Sequence, residues 1–313
     1  MKTKLVYVLT CAPETTYIEQ ALMAVWSARY WNPNAHIVLL TDDKTSALMH
    51  TDGTRGEILQ YISEEIVTTF DTDKSMHYRS RWIKTQVREL VKGNMLFVDC
   101  DTICCRSLQD VDFLDCEVGA VLESHLPVAE WNASMLQQLE PRANMMGWST
   151  NDECFYFSSG VIYCKDTPLV HHLYHLWHSV WLDGVVKGVN IDQPALARAN
   201  IECGHIIQQI SDDYNRILFT ETPHTEDAYI LHIAAYRNPS FLFKANTLTY
   251  IREYGLKNNG WLCTLILHPC WTFRPFDYDL LHSVFEQRLR WLCELTQAEY
   301  YYCLLYTSPS PRD

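Results

Sequence analysis

An unbroken apolar run, Met95-Leu96-Phe97-Val98, ends directly in two carboxylates, Asp99 and Asp101, with Cys100 between them. The run is too short for a helix and lacks the alternation of a half-exposed strand, so with Gly93-Asn94 before it, it predicts a strand buried on both faces of a parallel sheet. Two charges at the end of such a strand need a neutralising partner, because an unpaired buried carboxylate is strongly destabilising. A hard divalent cation, Mn²⁺ or Mg²⁺, is that partner: it takes oxygen ligands, typically one or two carboxylates and substrate phosphates. Ligands of open α/β sheets lie beyond the carboxyl ends of the strands, so the pair points to a metal-bound diphosphate. The plain alternative is a turn in which one Asp caps the backbone and the other is solvated.

The sequence around this strand alternates between the two periods. Residues 5–10 read as a first strand, 17–30 as a helix with Ile18, Ala21, Leu22 and Val25 on one face, and 36–41 as a second strand. A polar, Arg-rich helix over 77–91 leads into the acidic pair. Strands follow at 118–122, 155–164, 205–210 and 229–233, with helices at 169–182 and 194–199. This order predicts an α/β chain built on a mostly parallel sheet flanked by helices. From about residue 254 the sequence becomes aromatic-rich and helical. The expected organisation is one domain over 1–250, a helical extension over 251–302 that breaks off early, and a tail over 303–313. That tail, Cys-Leu-Leu-Tyr-Thr-Ser-Pro-Ser-Pro-Arg-Asp, reads as the translation of a transposase-type sequencing adapter and is expected to add nothing to the fold.

A net charge of −13 without a Lys/Arg block argues against nucleic acid as a partner. No run approaches the length of a transmembrane helix. The cysteines are scattered through apolar segments with no C-x-x-C pair, which favours reduced thiols and a cytoplasmic location, peripheral membrane association included.

Further motifs stand in order around the acidic pair: Leu9-Thr10 and then Tyr17, Ala21-Leu22 and Ser27; Lys84 on the preceding helix; Phe157-Ser158-Ser159-Gly160-Val161; Asp192-Gln193; Asp213-Tyr214-Asn215; and Ile230-Leu231-His232. As a set, over roughly residues 4–240, they resemble the metal-dependent nucleotide-sugar glycosyltransferases of GT-A fold, in particular the retaining group of glycogenin and the bacterial lipo-oligosaccharide galactosyltransferases. The resemblance implies a GT-A (Rossmann-like) α/β domain and a hexosyltransferase that moves a sugar from a nucleoside-diphosphate sugar, UDP in this group, to a glycan or lipid-linked glycan acceptor with retention. It implies Asp99, Asp101 and His232 as ligands of Mn²⁺ (or Mg²⁺), and Asp192 and Gln193 as the catalytic pair at the sugar. Thr10, Tyr17, Lys84, Asp99, Ser158, Ser159, Asn215 and Arg237 are implied as nucleotide-sugar contacts. Two positions depart from the pattern. Ser158 replaces the usual Asn, and after His232 the H-x-x-G-x-x-K spacing is missing, leaving Arg237 to clamp the diphosphate.

Each reading has a plainer competitor. His232 alone would be a core histidine, Asp192 the cap of a helix, and Lys84 with Arg81 a solvated helix face. His171, His175 and His178 share a helical stripe that suits zinc or, more simply, an amphipathic surface. The segment 124–154, with Trp131, Met145, Met146 and Trp148, is expected to wall an acceptor, and Asp152, Glu153 and Asp183 lie in segments that can reach it. A haloacid-dehalogenase-like phosphatase, with Asp99 as nucleophile and Asp212-Asp213 as the later acidic pair, is the rival enzyme. A non-catalytic nucleotide-sugar-binding scaffold is the rival of another class.

Overall fold

A computed structural model describes residues 1–70, 74–151, 155–218, 225–233, 241–257 and 259–269, all within one compact unit, Met1–Pro269. The chain runs β1 (Lys4–Leu9), α1 (Tyr17–Trp31), β2 (Ile37–Asp42), α2 (Asp43–Thr51), β3 (Glu64–Thr68), α3 (Met76–Thr85), α4 (Val87–Leu90), β4 (Met95–Val98), β5 (Thr102–Cys104) and β6 (Val118–Leu122). It continues through α5 (Ala133–Met145), β7 (Phe157–Cys164), α6 (Pro168–Val186), α7 (Gln193–Glu202), β8 (Ile207–Gln209), β9 (Arg216–Ile217), β10 (Ile230–His232), α8 (Ala245–Tyr254) and α9 (Gly260–Leu267).

Seven strands form one sheet in the order β3-β2-β1-β4-β7-β6-β8. β7 is antiparallel to both neighbours and every other pairing is parallel, so β7 alone runs against the rest. Residues of β2, β4, β6 and β7 are buried throughout, as the apolar runs require of strands covered on both faces. The edge strand β3, Glu-Glu-Ile-Val-Thr, is half-exposed and charged, and for that reason carries no buried-strand signal.

The chain leaves β1 toward β2 and β3 on one side, and β4 then lies on the other side of β1. The gap between the carboxyl ends of β1 and β4 is therefore the topological switch point of the sheet, where open α/β folds hold their ligands. Asp99 follows β4 at this point. A second sheet, β5-β10-β9, sits directly after the acidic pair, with β10 antiparallel to β5 and parallel to β9.

Two expectations need correction. The helix read over 77–91 breaks at Gln86 into α3 and α4. The Thr85 hydroxyl donates to the carbonyls of Arg81 (2.9 Å) and Trp82 (3.1 Å), a bond back to the preceding turn that bends helices. The segment 124–154 is not an open wall, because α5 runs through it despite Pro141. It is started by the Asn132 side chain accepting the Met135 N–H and packed through Leu139 and Ala143. Its aromatic residues are buried as well: the Trp131 indole N–H donates to the Leu126 carbonyl and that of Trp148 to the Pro194 carbonyl, which leaves neither ring free to stack on a sugar. No described helix is long and apolar enough to cross a membrane.

Candidate active site

At the carboxyl edge, β7 enters from the opposite direction, so its first residues rather than its last lie beside the acidic pair. Val98 pairs with Val161, and the Asp99 N–H donates to the Gly160 carbonyl at 2.8 Å. Ser158, Ser159 and Gly160 are thereby placed next to Asp99. The second sheet then carries His232 to the same point: His232 stands opposite Thr102, and the Ile233 N–H donates to the Asp101 carbonyl at 2.8 Å.

His232 Nε2 lies 3.2 Å from Asp101 Oδ1, and its Nδ1 lies 3.0 Å from Asn215 Oδ1. With the amide oxygen as acceptor, Nδ1 carries the proton and Nε2 faces the carboxylates, the arrangement by which an outer residue orients a ligating histidine. Asn215, expected as a nucleotide contact, is fully buried against His232. Gly160 makes this crowding possible, since a Cβ there would lie 2.4 Å from His232 Cε1 and 3.2 Å from Asp99 Oδ2. The glycine of the F-x-x-G-V stretch is a space requirement.

A second cluster adjoins the first through Lys84. Its ammonium lies 3.1 and 3.2 Å from the two Asp99 oxygens, 3.2 Å from Ser159 Oγ and 3.4 Å from Asp192 Oδ2. The Ser159 hydroxyl donates to Asp192 Oδ2 at 2.9 Å, and the Arg81 guanidinium lies 3.8 Å from Asp192 Oδ1. Asp192 occupies the cap position of α7, yet its side chain makes no capping bond and turns to these cations instead. Lys84 is buried, so neither plain reading describes these two residues.

The electrostatics separate the groups. Burial raises the pKa of Asp99, Lys84 opposes that and Asp101 reinforces it, and the net shift is upward. Burial also raises Asp101, but the facing His232 outweighs it and holds the carboxyl below its usual range. For His232 burial lowers the pKa and Asp101 more than reverses this. Asp192 is held down against burial by Lys84 and Arg81, and Lys84 is held up against burial by Asp192 and Asp99. The lysine and Asp192 are thus a settled ion pair, whereas Asp99 and Asp101 repel.

Asp99, Asp101 and His232 each offer one ligand atom, and these atoms all lie within 4.8 Å of one another. Two carboxylates and one imidazole, framed by a glycine that keeps the space open, fit a divalent cation of the Mn²⁺ or Mg²⁺ kind, the nitrogen ligand favouring Mn²⁺. The histidine stripe of α6 gathers no such set. His171 pairs with Asp166 and Glu89, while His178 Nδ1 lies 2.7 Å from the Thr85 hydroxyl.

No protein-family profile and no curated protein matches the sequence. Solved structures do match. The galactosyltransferase LgtC, solved in complex with donor and acceptor sugar analogues, is 14% identical, with 80% of this chain and 95% of that chain covered and a TM-score of 0.50. The chain has the GT-A fold. The apo form of mouse xyloside xylosyltransferase 1 is 12% identical over 74% of this chain and 97% of its own, with a TM-score of 0.48. In the GT-A frame Thr10 ends β1 at the switch point, its hydroxyl donating to the Met76 carbonyl (2.9 Å), and Tyr17 opens α1 half-exposed.

The GT-A edge also contains a residue that the sequence reading did not single out. Glu123 follows β6, accepts from Gln193 Nε2 at 3.2 Å, and has its N–H bonded to the Tyr156 carbonyl at 2.8 Å. The chain then turns through two non-glycine residues of positive φ, Ser124 (62°) and His125 (57°). Such strain clusters at functional sites. An acidic residue ending an apolar strand, Val-Gly-Ala-Val-Leu-Glu, was the available signal. Asp183 instead pairs with Lys187 on the surface of α6, and Arg237, Asp152 and Glu153 lie outside the described residues.

Proposed function

We propose that this protein is a divalent-metal-dependent glycosyltransferase that moves a sugar from a UDP-sugar to a hydroxyl of a glycan or lipid-linked glycan, with retention at the anomeric carbon. The observation that carries the reading is the Asp99-Asp101-His232 group at the switch point between β1 and β4. Asp99, Asp101 and His232 would hold Mn²⁺, which when bound neutralises charge developing on the departing nucleoside diphosphate. Asn215 engages the His232 Nδ1 and so leaves Nε2 as the ring atom turned toward the ion. Lys84 steadies Asp99 and brings a positive charge to the diphosphate side. Thr10 and Tyr17, at the end of β1 and the start of α1, flank the nucleoside. Ser158, Ser159, Asp192 and Gln193 face the sugar hydroxyls, the Gln193 amide being oriented by Glu123. Glu123 and its strained turn lie on the acceptor side.

The phosphatase reading gains nothing here. Asp212 and Asp213 engage His125 and Arg216, and the group around Asp99 is completed by a histidine instead. A panel of nucleotide sugars, offered with and without Mn²⁺ to the purified protein, tests the proposal. Metal-dependent binding and release of nucleoside diphosphate are expected, with an α-linked product by NMR from an α-linked donor. Phosphate release from simple phosphomonoesters, or binding without turnover across acceptors, would replace it with the phosphatase or the scaffold.

A further inference from the structure

The loop over 11–16, between β1 and α1, forms one wall of the switch point and is organised around Thr15. The Thr15 N–H donates to the Ala12 carbonyl (3.0 Å), its hydroxyl donates to the same carbonyl (3.0 Å), and the Ala12 N–H lies 3.3 Å from the Thr15 hydroxyl. The Thr15 carbonyl, pointing the other way, is taken by two guanidinium groups. Arg55 donates Nη2 to it at 2.8 Å and Nε to Glu19 Oε1 at 2.9 Å. Arg252 of α8 repeats the pattern, with Nη2 on the Thr15 carbonyl and Nε 3.2 Å from Glu19 Oε1.

Arg55 and Glu19 are buried and already form a complete ion pair. A second guanidinium on the same two acceptors adds like-charge repulsion, while Glu19 Oε2 remains without a partner. Stability of the buried pair therefore gives no reason for Arg252. Its distinctive property is its origin, on a helix that follows β10, the strand carrying His232. The same C-terminal end of that helix, which carries Arg252 in its last turn, is fastened a second time, because Glu57 accepts the N–H groups of Leu256 and Lys257 at 2.8 Å each.

We propose that Arg252 is a positioning residue for the donor nucleoside: it ties α8 to the Thr15 carbonyl and so fixes the loop between Thr10 and Tyr17 in its ligand-ready shape. The nucleoside part of this rests on the proposed function, and the loop part does not. A misplaced binding loop weakens binding and turnover without removing any chemical group.

The test uses the full chain with Arg252→Gln and Arg252→Lys. Hydrogen exchange of the backbone amides over 14–17 in the metal-free, ligand-free protein should speed up in Arg252→Gln while β1 and β4 stay protected. Calorimetry with UDP and Mn²⁺ should show dissociation constants about tenfold weaker, with donor KM rising by the same factor and kcat little changed. Arg252→Lys, whose single ammonium cannot span Thr15 and Glu19 together, should fall between wild type and Arg252→Gln, and it carries the test if the glutamine variant does not fold. Unchanged exchange in the loop overturns the inference whatever the nucleotide data. Loosened exchange with unchanged UDP affinity overturns its nucleoside part, and a wild-type protein that binds no nucleoside diphosphate overturns that part together with the proposed function.

Discussion

The two polar clusters at the carboxyl edge share Lys84 and differ in how complete they are. Around Asp192 every charge is answered within the protein: Lys84, Arg81 and the Ser159 hydroxyl surround the carboxylate, and its pKa is held down against burial. Around Asp99 and Asp101 the balance stays open: Lys84 reaches both Asp99 oxygens and His232 faces Asp101, yet burial, with Asp101 beside it, outweighs Lys84 and leaves the Asp99 pKa raised. The first cluster is set within the protein, whereas the second is the one that a ligand would complete. Under the proposed function, the unsatisfied half marks the binding site and the satisfied half beside it holds the geometry.

The largest effect that can break this contrast is on the open side. Asp101→Asn should lower metal-dependent transfer by about a thousandfold, the several kcal/mol that a metal ion contributes. The melting midpoint without metal should move by less than about 4 °C, because only an incomplete group is altered. Near-normal activity at saturating Mn²⁺ would show that the ion is not held there.

On the closed side the damage should appear in the fold. Lys84→Met leaves Asp99 and Asp192 buried with Arg81 as the remaining cation, and should cost about 3 kcal/mol in urea denaturation. A cost below about 1 kcal/mol would mean that the cluster is solvated and the contrast false.

Gly160→Ala sharpens the comparison with a single methyl group. The added carbon displaces His232 from Asp99 and should weaken Mn²⁺ binding by about 10–100-fold, the range seen when ligand orientation is disturbed. Unaltered affinity would place His232 outside the ligand set.

A smaller effect comes from a group outside both clusters. Burial, with His175 adding to it, lowers the pKa of His178 to about 4 from 6.5. Above pH 6.5 the imidazole is neutral folded or unfolded and contributes no pH dependence. Between 6.5 and about 4 the unfolded chain takes the proton and the folded chain does not, so stability falls as pH falls. After discounting for partial exposure the loss is about 1–2 kcal/mol, and His178→Gln should flatten the acid limb of a stability profile by that amount. An unchanged slope would show that another group dominates it.

Much of the edge around the acidic pair was legible in the chain. The run Met95 to Val98, the acidic pair after it, the amphipathic spacing of α1 and the order of the later motifs are local patterns, and local burial is what periodicity reports. Residues read by resemblance gathered as expected where backbone pairing carried them, His232 to Asp101 and Ser159 to Asp192 among them. The segment 124–154 was not legible. Trp131 and Trp148 looked like sugar-stacking rings, because composition does not say whether an indole faces solvent or core, and both are buried on either side of the helix through Pro141.

By itself the sequence determined the alternation of strands and helices, the strand that ends in two carboxylates, and a net charge of −13 with no Lys/Arg block. Tertiary structure alone decided that β7 runs against its neighbours and brings Gly160 under His232, that Asn215 meets His232, that Asp192 turns from its helix toward Lys84, and that Glu123 meets Gln193. The reason is the range of the forces involved. Burial and backbone propensity act within a few residues, but charge pairing, close approach and metal ligation depend on which distant segments share an edge, and that is set only when the whole sheet is assembled.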